Sequence, residues 1–290
     1  MAAIEPTTPA GAAGLAALLK DPARAVAAFD FDGTLAPIVP DPDRARAHPG
    51  VLPALARLAP RLAAVVVVTG RPAATAVSHA GFAGAPGLEH LTVLGHYGLE
   101  RWDAATGELR APAEHPGIAA LRRELPDLLA AGPEGTWLEA GVFVEDKGHA
   151  IAVHTRRAAE PDAALAALDG PLRAAAARHG LAVEPGRMVL ELRPPGMDKG
   201  VALTAFLREH DAATVLFAGD DLGDVAAYDA VDALRASAGT DALLVCSAPT
   251  TGEPPVRALA DRADLIVPGP EGVVALLDAL ADALDGSIRP

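Results

Sequence analysis

Apolar residues are arranged along the chain in two alternating kinds of run. Short β-branched runs stand at 25-AVAAFD-30, 64-AVVVVT-69 and 91-LTVLG-95 in the first third, and at 214-TVLFAG-219, 241-DALLVC-246 and 264-DLIVPG-269 in the last. They are apolar almost throughout rather than at every second position. That pattern marks strands covered on both faces, hence a parallel sheet between layers of helices. Between these runs, apolar residues recur at helical spacing in 50-GVLPALARLAPRL-62, 199-KGVALTAFLREH-210 and 271-EGVVALLDALADAL-284. The last begins just after Pro270, a favourable helix start. The alternation predicts a doubly wound, Rossmann-like α/β core. Residues 1 to about 20, rich in Ala, Pro and Thr, are expected to be loosely ordered.

The middle third follows another pattern: helix, two strands, helix, two strands. The helices fall near 117–131 and 161–180, and the strands within 137–157 and 181–194. Each strand pair turns at a glycine, around Gly148 and Gly186, as antiparallel hairpins do. With the first tip at Lys147-Gly148, period-2 alternation puts Val142, Val144, Ile151 and Val153 on one face, and Glu145, His154 and Arg156 on the other. With the second tip at Pro185-Gly186, Leu181, Val183, Met188, Leu190 and Leu192 share the apolar face. Glu184, Arg187, Glu191 and Arg193 share the polar one. This predicts a four-stranded open sheet with helices on one side and a charged face on the other. The segment, 107–195, is therefore expected to be an α+β (αββαββ) domain inserted into a core made of 1–106 and 196–290.

The chain has 290 residues, about half of them apolar, and a formal net charge of −14. Clustered Lys and Arg, which a nucleic-acid or anionic membrane surface would need, are lacking. No nucleic acid and no membrane is expected as a partner. A single cysteine, Cys246, leaves no intrachain disulfide and suits a reducing compartment. Its strand-like setting, 241-DALLVCSA-248, predicts a buried, inert thiol. The first residues have no basic segment followed by a long apolar one, and the run near 62–68 is too short to span a bilayer. A soluble, cytoplasmic protein is expected; the oligomeric state stays open, and a monomer is compatible with the sequence.

Chemistry concentrates at strand ends. In 29-FDFDGTLAPI-38, Asp30 and Asp32 close an apolar run and precede Gly33-Thr34. Two carboxylates this close oppose each other's ionisation, and an apolar setting adds to the cost, so a bound cation is the natural reason for the pair. Gly33-Thr34 lets the chain turn sharply and presents backbone N–H groups. A second cluster, 219-GDDLGD-224, puts Asp220, Asp221 and Asp224 after another apolar strand. Oxygen donors of this kind are what Mg²⁺ prefers. Solvated turns or helix caps would also use Asp, but two such clusters after two buried strands favour a cation site. Thr69, followed by Gly70-Arg71, supplies a hydroxyl at a third strand end, or caps the helix after Pro72. Lys199 opens a helix, where the macrodipole disfavours a cation. Facing carboxylates and a phosphate, its charge would be useful.

The set DxDGT at 30–34, hydroxyl-Gly-Arg at 69–71, Lys at 199 and GDDxxD at 219–224 resembles, in composition and order, the haloacid-dehalogenase-like phosphatase superfamily. The resemblance implies that Asp30 is the nucleophile, forming an aspartyl-phosphate, and that Asp32 serves as acid and then base. It implies Mg²⁺ held by Asp30, the carbonyl of Asp32 and Asp220, with Asp221 or Asp224 in support. Thr69 and Lys199 would bind phosphoryl oxygens, with Gly33, Thr34, Gly70 and Arg71 around the substrate. The inserted segment resembles the type-C2 cap of sugar-phosphate phosphatases. Closer still, 144-VEDKGHAIAVHTR-156 is similar to the cap signature of trehalose-6-phosphate phosphatases, V-E-x-K-x-x-S-x-x-x-H-Y-R, as are 188-MVLELRP-194 with Asp198-Lys199-Gly200 and DGTLAPI at 32–38. This implies a sugar-phosphate substrate, trehalose 6-phosphate, a role in trehalose biosynthesis, and contacts to sugar hydroxyls from Glu145, Lys147 and Glu191, with His154 and Arg156 nearby. Departures stand at Ala150 and Thr155, at His96-Tyr97 within 95-GHYGLE-100, and at Gly223 and Val225. They bear on fine specificity, so sucrose 6-phosphate and mannosyl-3-phosphoglycerate remain alternative substrates. A phosphotransferase, or a non-catalytic sugar-phosphate sensor on the same fold, is a further alternative, though a sensor would be expected to have lost Asp30 or Asp32.

The remaining candidates carry little. Nine histidines are scattered without metal-ligand spacing. The run 81-GFAGAPG-87 is not a dinucleotide loop, and no Walker-type GxxxxGK[ST] is present.

Overall fold

The computed structural model describes residues 4–39, 41–130, 132, 135–186, 188–237 and 239–286. It divides into two compact units, Met1–Ala111 with Asp198–Pro290, and Pro112–Met197.

The first unit is built on an eight-stranded sheet. In chain order its elements are α1 (Pro9–Lys20), β1 (Ala25–Phe29), α2 (Val51–Leu58), β2 (Ala64–Val68), α3 (Ala73–Ala80), β3 (Leu91–Gly95), β4 (Glu100–Asp103) and β5 (Glu108–Arg110). The second unit then contributes α4 (Pro116–Leu129), β6 (Phe143–Asp146), β7 (Ile151–His154), α5 (Pro161–Arg178), β8 (Ala182–Gly186) and β9 (Val189–Arg193). The first unit resumes with α6 (Lys199–Glu209), β10 (Thr214–Gly219), α7 (Val225–Ser237), β11 (Asp241–Ala248), α8 (Arg257–Ala260), β12 (Leu265–Pro268) and α9 (Gly269–Gly286).

The strand order of the large sheet is β12-β11-β10-β1-β2-β3-β4-β5. All pairs from β12 to β3 are parallel, and β4 and β5 add an antiparallel edge. β1 and β2 are buried at every position, as the unbroken apolar runs require. Alternate residues feed two cores. Ala25, Ala27, Phe29, Val65 and Val67 pack with Leu55, Leu277 and Leu280 on one side. Val26, Ala28, Val66, Val68 and Phe217 pack with Leu203, Phe206 and Tyr228 on the other. Each buried Val, Leu or Phe contributes about 1.5–3 kcal/mol of transfer free energy. Cys246 lies in the second core, and burial pushes its thiol up to about 11. No helix among the described residues is long and apolar enough to cross a membrane.

The N-terminal segment differs from expectation. It forms α1, capped by the Thr8 hydroxyl, which accepts from Gly11 N at 2.9 Å. Thr7 N donates to the Asp264 carbonyl at 2.7 Å, and Thr8 Oγ1 donates to the Asp264 carboxylate. Asp264 is itself buried and accepts from Leu244 N and Arg235. The sequence signal, Thr-Pro as cap and first helical residue, is outweighed in a compositional reading by the Ala, Gly and Pro around it.

The second unit is a four-stranded antiparallel sheet, β6-β7-β9-β8, with α4 and α5 packed on one face. Ile118, Leu121, Leu168 and Leu172 from the helices meet Ile151, Val153, Leu190 and Leu192 from the sheet. Both hairpins pair in a register other than the expected one. Glu145 pairs with Ala152 and Asp146 with Ile151, so the first turn spans 147–150. Glu184 pairs with Glu191, and Gly186 with Val189, so the second tip lies beyond Pro185-Gly186. Met188 sits in that turn with φ +60° instead of on the apolar face. Arg187 lies outside the described residues. Both slips are by an even number of positions, so the apolar and polar faces of the strands remain as read.

Candidate active site

Two adjacent parallel strands, β1 and β10, and the loops after them carry the acidic residues. β1 ends at Phe29, and Asp30 N donates to the Ala218 carbonyl at 2.9 Å. The chain then turns tightly: Gly33 N donates to Ala36 O at 2.7 Å, and Leu35 N to Phe31 O at 2.9 Å. Gly33 has φ +80°, and a Cβ there would lie 2.0 Å from Asp220 Oδ2. Position 33 therefore needs glycine twice over, for the left-handed backbone and for the neighbouring loop. The β11 end also takes part, because Ser247 Oγ donates to Gly33 O at 2.7 Å. Nothing in the sequence marks Ser247, because a lone serine near a strand end has no distinguishing pattern.

The loop after β10 is organised by Asp224. Its Oδ2 accepts from Asp220 N at 2.9 Å and Asp221 N at 3.2 Å. Asp221 in turn accepts from Gly223 N at 2.8 Å, completing a reciprocal cap. Lys199, first residue of α6, is buried and donates to Asp30 Oδ1 at 2.6 Å and Asp224 Oδ1 at 2.7 Å. The helix start itself is capped by Asp198, which accepts from Val201 N at 2.9 Å.

One ligand oxygen from each of Asp30, Asp220 and Asp224 lies within 4.8 Å of the others. Burial raises the Asp30 carboxyl well above its usual range, against the pull of Lys199 and with Asp224 adding to the rise. Asp220 is raised for the same reason, with Asp30 and Asp224 as further causes. Burial opposes the charge of Lys199, but Asp224 and Asp30 outweigh it and hold its pKa well above the ordinary value. Asp220 Oδ1 and Thr34 Oγ1 are buried without a hydrogen-bond partner among the described residues. A buried carboxylate oxygen left over in an all-oxygen cluster of excess negative charge fits a hard divalent cation.

Thr69 follows β2 and is buried; its N donates to Leu94 O at 3.0 Å and its Oγ1 accepts from Arg71 N at 3.1 Å. It does not cap α3. That role falls to Glu100, whose Oε2 accepts from Ala73 N at 2.6 Å. Arg71 forms a two-pronged pair with Asp32, Nε to Oδ2 at 2.6 Å and one terminal nitrogen to Oδ1 at 2.7 Å. Its guanidinium also lies over the Phe31 ring, 5.7 Å from the centroid.

In the second unit, Lys147 Nζ donates to Glu191 Oε2 at 2.6 Å, and His154 Nε2 lies 3.0 Å from Glu145 Oε2. Glu184 Oε2 accepts from Arg193 at 2.8 Å, which offsets the like charge of Glu191 directly opposite. Arg156 lies exposed in the turn after β7, where strand alternation no longer sets its face.

The trehalose-phosphatase family pattern matches residues 28–258. A trehalose-phosphate phosphatase of Mycolicibacterium paratuberculosis is 39% identical over 215 residues, covering 70% of this chain and 50% of its own. One from Mycobacterium tuberculosis is 37% identical over 214 residues, with the same shares covered. The chain thus spans about half the length of the curated relatives it matches. Among solved structures, the C-terminal domain of trehalose-6-phosphate phosphatase from C. albicans superposes with a TM-score of 0.72 at 20% identity, over 97% of this chain and 99% of that one. A trehalose-6-phosphate phosphatase related protein superposes with a TM-score of 0.66 at 22% identity, over 91% of this chain and all of that one. These two show the shared fold: a mixed α/β core with a parallel sheet and a separate antiparallel one. By the extent of the family match and the identity to its relatives, the chain belongs to the trehalose-phosphatase family.

Proposed function

We propose that the chain is a Mg²⁺-dependent phosphatase that hydrolyses trehalose 6-phosphate to trehalose and phosphate, with a place in trehalose biosynthesis. The observation that carries this reading is the convergence of Asp30, Asp220, Asp224 and Lys199 at the carboxyl ends of neighbouring strands, where α/β sheets bind ligands. Membership of the family supplies the substrate class.

Asp30 and Asp220 would hold the cation, with the carbonyl of Asp32. Asp224 supports them rather than ligating through a spare oxygen, because Lys199 takes one of its oxygens and two backbone amides take the other. Asp221, which caps its own turn, is likewise a supporting group. A cation held there would neutralise charge at the phosphoryl oxygens and favour the ionised form of Asp30.

The chain's own residues do the rest. An Asp30 carboxylate oxygen attacks phosphorus, an O–P bond of an acyl phosphate forms, and the bond from phosphorus to the sugar oxygen breaks. Asp32 gives its proton to that leaving oxygen, then takes one from the water that attacks the aspartyl-phosphate, which restores Asp30 and releases phosphate. Both Asp32 oxygens accept from Arg71 in this structure, so Arg71 holds the ionised form that takes a proton from water, and one of the two bonds must open for Asp32 to carry a proton to the leaving oxygen. Lys199 and Thr69 bind phosphoryl oxygens, and Thr34 and Gly70 contribute hydroxyl and backbone donors; Gly33, whose N–H is taken by Ala36 O, shapes the turn beside the substrate instead of donating to it. Glu145, Lys147 and Glu191 bind sugar hydroxyls, with His154 and Arg156 beside them. The Lys147–Glu191 ion pair and the His154–Glu145 hydrogen bond hold these four side chains in place.

Phosphate release from trehalose 6-phosphate, sucrose 6-phosphate, glucose 6-phosphate, mannosyl-3-phosphoglycerate and p-nitrophenyl phosphate, each with and without Mg²⁺, tests the reading. Trehalose 6-phosphate should dominate and require the metal. A different preferred sugar phosphate would leave the chemistry and overturn the substrate; no hydrolysis of any ester would overturn the enzyme itself.

A further inference from the structure

The end of β3 is the strained part of the site. His96 and Tyr97 have φ +47° and +58°, and Gly98 follows at +97°. Two non-glycine residues in succession in the left-handed region cost of order 1 kcal/mol each or more, and persist only where surrounding contacts hold them. The contacts here are specific. His96 N donates to Arg71 O, and Tyr97 N donates to Thr69 O, both at 2.9 Å. The strained turn is thereby fastened to both ends of the Thr69-Gly70-Arg71 loop.

The Tyr97 ring completes the arrangement. A Cβ on Gly70 would lie 2.7 Å from the Tyr97 hydroxyl oxygen, 2.8 Å from Cζ and 3.2 Å from Cε1. Gly70 has no left-handed backbone to explain its glycine; what requires it is the ring edge resting on its Cα. On the other side of the turn, Gly98 packs against Ala202 of α6, the helix that begins with Lys199. The segment 96–98 is therefore wedged between the loop carrying Thr69 and Arg71 and the helix carrying Lys199.

We propose that Tyr97 is a positioning residue for phosphoryl transfer. Its ring, seated on Gly70, fixes the loop so that the Thr69 hydroxyl and the Arg71–Asp32 pair keep their place relative to the reacting ester. This rests on the phosphatase reading above. The ring acts on the part of the site common to every phosphate ester, so its effect falls on kcat and extends to substrates without sugar.

A double-mutant cycle tests this with trehalose 6-phosphate and p-nitrophenyl phosphate. Tyr97→Ala should lower kcat on the order of 10- to 100-fold on both, with KM changed much less, as for a misplaced catalytic group. Tyr97→Phe, which keeps the ring, should recover most of that loss. Gly70→Ala should lower kcat by displacing the ring, and should add little in the Tyr97→Ala background, where the Cβ has room. Thermal melts identify any variant that fails to fold, and Tyr97→Leu, which fills space but puts no ring edge over Gly70, then replaces Tyr97→Ala in the cycle. Additive losses from Tyr97→Ala and Gly70→Ala, or a loss on trehalose 6-phosphate alone, would overturn the proposal. An inactive wild type would instead overturn the phosphatase reading, which keeps the two failures distinct.

Discussion

Asp30 and Asp224 share one lysine, yet they are placed for different work. Asp224 has both oxygens engaged, by Lys199 and by the amides of its own loop. Asp30 has Lys199 on one oxygen only among the described contacts. Asp30→Asn removes the nucleophilic oxygen while leaving an amide oxygen for Lys199 to bond. Turnover of any phosphate ester should fall by ~10⁴-fold or more, the scale seen when a covalent catalyst is deleted. The melting temperature should stay close to that of the wild type, because the Lys199–Asp224 pair survives. Phosphate release and a thermal melt on one preparation check both halves; retained turnover would remove Asp30 from the nucleophile's place. At this scale the acidic residues were legible because each follows a buried strand, and strand ends are where α/β sheets gather ligands. Ser247 was not, and for Glu100 and Tyr97 the segment 95-GHYGLE-100 marks the positions without showing what they touch. Their roles depend on which loops lie beside them, and no spacing within one segment records that.

Among elements, the strands were easy to read and their pairing was not. Unbroken apolar runs identify β1, β2, β10 and β11, whose burial is nearly complete. In the second unit, alternation fixes which face each residue takes, while turn length fixes register. Gly148 and Gly186 drew the expected tips to themselves, whereas the turns fall at 147–150 and beyond Gly186. Because the slips were even, Glu145, His154 and Glu191 kept their face. The helix α1 gives the opposite lesson: its composition suggested looseness, and its order comes from Thr8 and the buried Asp264. Thr8→Ala removes both the cap and the bond to Asp264. It should destabilise the protein by about 1 kcal/mol, up to about 2, measured by urea unfolding. A change within a few tenths would show that α1 is held by its apolar face alone.

For the molecule as a whole, excess negative charge makes cation binding and stability one question. The net charge is −14, and part of it is gathered where burial and mutual repulsion raise Asp30 and Asp220. Between the ordinary carboxylate range, around pH 4, and those raised values, the folded, metal-free protein holds more protons at these sites than the unfolded chain. The contribution of the pair to stability therefore falls as pH rises through that window. A divalent cation cancels the repulsion and needs the ionised carboxylates, so its contribution moves the other way. The rise in melting temperature on adding Mg²⁺ should thus be small near pH 5 and larger near pH 8. Its size follows ligand concentration over Kd, about 2.7 kcal/mol at a hundredfold excess. Taking the difference with and without Mg²⁺ at each pH removes the other titrating groups, which are common to both melts. Asp220→Asn takes away the carboxylate whose Oδ1 is buried without a partner, and should flatten the difference at every pH. A Mg²⁺ effect independent of pH, or undiminished by Asp220→Asn, would place the cation elsewhere on this acidic surface.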